Sequence, residues 1–180
     1  MKLAVRRGEG RADEEEAFLL LLELSAGGVL LRLFGPSWRG VFRRLFQDTG
    51  TLFSFPHTLT LWQGETLLGM ALGWGSGDRR AQGLRTAFRL FPYALPRLLR
   101  FVPKIRYAGL PPASYYLSNL AVFPPHQGKG FGQVLLQAVE EEALRLRDTS
   151  VILDVEKGNT RALAFYQKRG YHIVGEFLSF

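Results

Sequence analysis

Leu120-Ala121-Val122-Phe123-Pro124-Pro125-His126-Gln127-Gly128-Lys129-Gly130-Phe131-Gly132 runs from a β-prone apolar stretch through two prolines and three alternating glycines into a helix. Proline cannot donate to a sheet ladder, so the strand stops at Pro124. Glycine lets the chain turn tightly and lets a ligand approach the backbone. The helix opening at Phe131 begins with N–H groups that have no partner of their own and that carry partial positive charge. Such a start is a seat for a phosphate or pyrophosphate, and Lys129 adds a full charge beside it. The spacing Gly128-x-Gly130-x-Gly132 is neither the dinucleotide fingerprint G-x-G-x-x-G nor a Walker A loop. A tight strand-to-helix turn with no ligand satisfies the same pattern, so the loop alone leaves both readings open.

Downstream, the period of Val134, Leu135, Ala138, Val139, Glu142 and Leu146 predicts a helix over 131–147. Val151–Val155 is β-branched and reads as a strand. Thr160–Arg169 reads as a helix closed by Gly170, and Tyr171–Phe177 as a last strand. Upstream, Tyr115–Val122 is a strand. Met1–Arg7 is a short first strand, and Asp13–Leu24 a helix with acids in its first turn and Gly27-Gly28 as its stop. Val29–Phe34 fits helix or strand; Trp38–Gln47 is a second helix behind Pro36 and Ser37. His57–Trp62 and Glu65–Trp74 form a hairpin across Gln63-Gly64, followed by a loop over 75–78. In 84–102, Leu84, Phe88, Phe91, Leu95, Leu98 and Val102 recur at helical spacing, with Pro92 and Pro96 predicting two short helices or one broken one.

The chain has 180 residues, which fits one domain: 1–112 as an N-terminal half and 113–180 as the half carrying the glycine loop. Cysteine is absent, which excludes disulfides and thiolate chemistry. No N-terminal signal-peptide pattern is present, and the apolar run Ala17–Leu24 is too short to span a bilayer; a cytoplasmic protein without a membrane span is expected. The net charge is +7, and Arg79, Arg80, Arg85, Arg89, Arg97, Arg100, Lys104 and Arg106 follow one another without an acid between them. Such a stretch attracts anions. His57, His126 and His172 have no metal-ligand spacing.

Gln127-x-x-Gly130-x-Gly132 after an apolar strand resembles the acetyl-coenzyme A signature Q/R-x-x-G-x-G/A of the GNAT superfamily of N-acetyltransferases. Asn159-Thr160-Arg161-Ala162-Leu163-Ala164-Phe165-Tyr166-Gln167-Lys168-Arg169-Gly170-Tyr171 resembles the family's later motif, N-x-x-A-x-x-x-Y-x-x-x-G-F/Y. The resemblance implies an α/β (α+β) fold: a mixed, twisted, mainly antiparallel sheet of six to seven strands flanked by helices, with strands four and five splayed. It implies acetyl-coenzyme A as the acetyl donor and transfer to a primary amine, small-molecule or peptide, in a ternary complex. Cofactor contacts are implied for Leu120, Ala121 and Val122 on strand four, for Gln127, Gly128, Lys129, Gly130, Phe131 and Gly132 in the loop, and for Asn159, Ala162 and Tyr166 near the end. Tyr166 is the implied acid for the leaving sulfur.

Strand four carries no acid where family members often place a base; Asp154 and Glu156 are the alternatives, beside His57 and His126. Arg85 and Arg89 are candidate walls of an acceptor pocket. A coenzyme A-binding regulator without catalysis, or a basic anion- or nucleic-acid-binding module, are the competing readings. Nucleic acid is not the expected partner, and a monomer or homodimer is expected.

Overall fold

Alternating apolar residues build one five-stranded sheet. The computed structural model describes residues 2–98 and 111–176, the side chains of 94–98 excepted. Its strands are β1 (Leu3–Arg7), β2 (Thr58–Gln63), β3 (Thr66–Trp74), β4 (Ser114–Val122) and β5 (Ser150–Leu153), lying side by side in chain order. The first three junctions are antiparallel and the last, β4 with β5, is parallel. The hairpin predicted across Gln63-Gly64 is present, with Gly64 at φ 61° in the left-handed conformation its turn requires.

Helices cover both faces. Helices α1 (Ala12–Phe34) and α2 (Trp38–Gln47) pack on one face through Phe18, Leu22, Phe42 and Phe46 against Met70, Leu72, Trp74 and Tyr116. On the other face α4 (Phe131–Arg145) sets Leu135, Leu136 and Val139 against Leu61, Leu68, Ala71 and Leu117. Between β3 and β4 comes α3 (Ser76–Leu98), and α5 (Thr160–Gln167) follows β5. Arg7 of β1 and Arg145 both donate to Glu142, tying the edge strand to α4.

Several expectations are corrected. Gly27-Gly28 does not stop α1, which runs to Phe34; Gly35, at φ 68°, ends it. Glycine costs about 1 kcal/mol within a helix, but Leu30 is buried beyond the pair and keeps the segment on the core. The continuous stretch Ala12–Gln47 is thereby long and apolar enough to cross a membrane by length and composition alone, and 39% of its most apolar window is buried in the fold. The loop over 75–78 is shorter than expected, since α3 starts at Ser76, its first turn held by Asp148 through Ser76 N–H and Oγ. Neither Pro92 nor Pro96 splits α3. Its stripe of Leu84, Phe88 and Phe91 faces outward; Thr86 turns inward and donates to Gln82 O while accepting from Leu52 N–H. Leu95, Leu98 and Val102 of that stripe lie outside the described side chains.

The last strand, predicted over 171–177, is absent from 171–176, so five strands stand among the described residues against the six to seven expected. Tyr171 packs its ring on Tyr166 and donates its hydroxyl to Glu140 of α4 at 3.0 Å. That contact draws the chain onto the helices rather than along the edge of β5. β5 itself ends at Leu153, leaving Asp154 and Val155 beyond it.

Candidate active site

A fork opens between β4 and β5. The parallel ladder holds Ser114–Leu117 against Ser150–Leu153 and stops, while β4 continues to Val122 with β3 as its only sheet neighbour among the described residues. Ser118, the first residue past the last rung, is an extra residue in β4: Gly73 faces Leu117 and Leu72 already faces Asn119. This bulge resets the alternation of the strand. Tyr116 and Ala121 therefore both face α1, and Leu117, Leu120 and Val122 face α4.

Backbone groups are directed by the same register. Phe123 N–H donates to Leu68 O at 2.9 Å. In an antiparallel pair successive residues point their polar groups to opposite sides. The N–H and C=O of Leu120 and Val122 are thus turned to the open side, and those of Ala121 toward β3. Of the three strand residues singled out from the sequence, two present backbone to the fork and Ala121 does not. The Val122 carbonyl accepts from Gln127 Nε2 at 2.9 Å, which folds the loop back over the fork's mouth.

The loop then presents donors. Gly128 (φ 77°) and Gly130 (φ 82°) are left-handed, with nothing within 4 Å of the place a Cβ would occupy. Gly130 is the N-cap of α4. Gln133 N–H returns to Gly130 O at 3.0 Å, whereas the N–H groups of Gly128, Lys129, Gly130, Phe131 and Gly132 have no acceptor among the described residues. Five free donors in a solvent-facing loop and the helix start it leads into are the arrangement that can take up an anion. Gly132 has a different function: a Cβ there would sit 3.4 Å from the Phe165 ring and 3.8 Å from Val122 Cγ2, so the helix start packs between α5 and β4.

The second motif forms α5 and the turns on either side of it. Asn159 is the N-cap of α5, its Oδ1 accepting from Ala162 N–H at 3.1 Å. Tyr166 packs between Phe165 (centroids 5.1 Å) and Tyr171 (5.5 Å). Its hydroxyl has no hydrogen-bond partner among the described residues, and burial of the phenol pushes its pKa up to about 12. A protonated, unengaged phenol is what a proton donor to a leaving group requires. The loop and α5 meet where Gly132 packs on Phe165, the residue beside Tyr166, and on Val122 of β4.

The model of the acetyltransferase (GNAT) family matches residues 29–171. The chain belongs to this family. It resembles the N-alpha-acetyltransferase RimI of Mycobacterium tuberculosis, at 35% identity over 77 residues, 39% of this chain and 47% of that protein. The chain spans less than half the length of the curated relatives it matches. In fold, the GNAT chain is similar to an N-acetyltransferase from Staphylococcus aureus Mu50 (TM-score 0.69, 16% identity, 97% of this chain and 93% of that one). It is also similar to the aminoglycoside N-acetyltransferase AAC(6')-Iy in complex with CoA (TM-score 0.61, 12% identity, 99% and 93%). At these identities the likeness is one of fold.

Around the fork of this GNAT-family chain, the candidate bases separate. Asp154 stands directly after β5 and accepts the Tyr116 hydroxyl at 2.7 Å. Glu156 is exposed further along. His57 bonds Gln82 at 3.0 Å in a small pocket with Arg7, Asp78, Tyr115 and Glu142, at the opposite end of β4 from the loop. His126 lies in the turn before the glycines. Arg85 and Arg89, the suggested pocket walls, are both held by Asp48 (2.9 and 3.1 Å). No group of His, Asp and Glu suited to a metal occurs among the described residues.

Sequence reasoning missed two features. One is the chain Ser118–Asn119–Ser25, which joins the bulge to α1. No motif signals it, because Ser25 and Asn119 are 94 residues apart. The other is Arg169. It stacks on Phe165 at 3.9 Å and donates to Gln133 at 3.2 Å, bringing a cation to the first turn of α4.

Proposed function

We propose that this GNAT protein transfers an acetyl group from acetyl-coenzyme A to a primary amine by direct attack within a ternary complex. The observation that carries the reading is the conjunction of an interrupted β4–β5 ladder with five N–H groups, in the loop and first turn of α4, that have no partner among the described residues. Acetyl-coenzyme A supplies the activated thioester, and the chain's residues hold and polarise it. The donors from Gly128 to Gly132, with Lys129, grip the pyrophosphate. Gln127 shapes the loop through its bond to Val122, while Asn159 and Ala162 at the start of α5 flank the arm of the cofactor.

Leu120 and Val122 extend their fork-facing backbone groups to the pantetheine and the acetyl carbonyl, as a β-strand partner would. The acceptor's ammonium first gives one proton to water; the neutral nitrogen then forms a bond to the thioester carbon, and a fork-facing N–H stabilises the oxyanion that results. When the C–S bond breaks, Tyr166 delivers its proton to the sulfur, and the nitrogen's remaining surplus proton passes through water to restore the phenol. In this scheme residues 1–112 supply the acceptor side and 113–180 the cofactor side of one catalytic unit.

Melting the protein with and without coenzyme A tests the first half. At a ligand concentration about 100 times its dissociation constant, stabilisation near 2.7 kcal/mol is expected. Thiol release is then followed with acetyl-coenzyme A and a panel of amines: a tetrapeptide with a free α-amine, spermidine and an aminoglycoside. No shift with coenzyme A sinks the cofactor assignment. A shift with no turnover on the panel or on simple alkylamines converts the reading to a coenzyme A-binding regulator.

A further inference from the structure

The fork carries two oxygen groups, one on β4 and one just past the end of β5, whose remaining capacity is to accept hydrogen bonds. Ser118 and Asp154 are the residues immediately past the last rung, Leu117 against Leu153. At Ser118 the direction of every bond is fixed from a backbone carbonyl. Leu21 O has no proton, so Ser25 Oγ donates to it at 2.6 Å. The Ser25 oxygen then accepts from Asn119 Nδ2 at 2.7 Å, which turns Asn119 Oδ1 toward Ser118. Ser118 Oγ donates its one proton there, at 2.7 Å. Its lone pairs are left for an incoming donor, and the residue is only half-buried.

Across the fork, Tyr116 donates to Asp154 Oδ2, leaving the exposed carboxylate with further accepting capacity. Both groups are drawn to the α1 side of the sheet. Asn119 reaches α1 itself, and Tyr116 packs on Trp74 (centroids 5.4 Å) within the α1-side core. Tyr166 belongs to the opposite, α4-side cluster.

We infer that Ser118 and Asp154 seat the ammonium group of the acceptor, which enters from the α1 side of the fork, and that the enzyme selects amines presented as cations. The inference rests on the acetyl-transfer reading and names its substrate class. Two acceptors, one of them anionic, match the several donors of an alkylammonium and reject a hydroxyl or a neutral amine less suited to a charge-assisted bond. The division of faces suits the chemistry. The nitrogen arrives on one side of the sheet and gives one proton to water before it attacks, and the sulfur leaves toward the phenol on the other. Asn119 and Ser25 are positioning residues, acting through Ser118.

The test compares the parent protein with Ser118→Ala, Asp154→Asn and, as a control in the exposed β2–β3 turn, Glu65→Gln. Thiol release from acetyl-coenzyme A is measured with n-butylamine, cationic at neutral pH, and with hydroxylamine, neutral there. Loss of a charge-assisted contact predicts a KM for butylamine raised about tenfold in each site variant. The KM for acetyl-coenzyme A, the melting temperature, the rate with hydroxylamine and the Glu65→Gln protein stay at parental values. Ser118→Thr and Asp154→Glu recover part of the loss. If Asp154→Asn fails to fold, Ser118→Ala decides alone. An active parent whose variants keep the butylamine KM within twofold overturns the seat and leaves acetyl transfer standing; equal losses on both amines also overturn it. A parent that acetylates neither these amines nor any of the panel removes the transfer reading and the seat together.

Discussion

Tyr166 separates packing from chemistry within one side chain. Its ring lies between Phe165 and Tyr171, and its hydroxyl is unpartnered among the described residues. Phenylalanine at this position keeps the ring contacts and removes only the proton. With Tyr166 as the acid, Tyr166→Phe lowers kcat on the order of a hundredfold with little change in the KM for acetyl-coenzyme A. With packing alone, kcat does not move. Steady-state thiol release distinguishes the two. The raised pKa fixes the sign of the pH dependence. A phenol at about 12 stays protonated well above neutrality, so the parent enzyme loses no activity to Tyr166 ionisation between about pH 7 and 10. A falling limb in that range that disappears in Tyr166→Phe contradicts the assignment.

At the scale of the element, the strand–loop–helix unit uses its glycines for two purposes. Gly130 needs a left-handed backbone at a site with open space around it; Gly132 has an ordinary helical backbone and a close neighbour. Gly130→Ala costs about 1–2 kcal/mol in backbone strain and tilts the N–H groups that face the loop. Gly132→Ala meets Phe165 at a contact distance the ring tolerates, and gains helix propensity of about 1 kcal/mol. Weakened coenzyme A binding is therefore expected from Gly130→Ala and near-parental binding from Gly132→Ala, read by calorimetric titration. The reverse order contradicts the proposed roles.

This unit was legible in the sequence because its signals are local: β-branched and apolar alternation, two prolines, glycines at a helix start. The strands β1 to β4 and helices α2 and α4 were legible for the same reason. What was not legible depends on distant partners. Gly27-Gly28 reads as a stop until Leu30 finds a buried place, and Tyr171 reads as a strand residue until its hydroxyl finds Glu140. The bulge at Ser118 arises from the register between β3 and β4, which no single-strand pattern contains. Without it, Asn119 would face α4 and the bond to Ser25 would not form.

For the whole molecule, three phenols set the alkaline limit of stability. Burial, with Glu142 next in effect, raises the pKa of Tyr115; burial raises Tyr166; and burial with the bond to Glu140 raises Tyr171. All three have an ordinary value of 10.0 once unfolded. Below that value both states hold the proton and the groups leave stability unchanged. Above it the unfolded chain ionises while the fold retains its protons, so stability falls as pH rises from 10 through the raised values. The slope reaches about 1.4 kcal/mol per pH unit for each site that differs fully between the two states. Tyr115, whose ring lies over Gly73 in the core between β3 and α4, is the most buried of the three. Urea midpoints measured from about pH 8 to 11 are expected to hold steady and then drop, and Tyr115→Phe to make the drop shallower. A decline that sets in well below the ordinary tyrosine range, or one equally steep in Tyr115→Phe, would place the alkaline limit elsewhere than in the packing of β4 against α4.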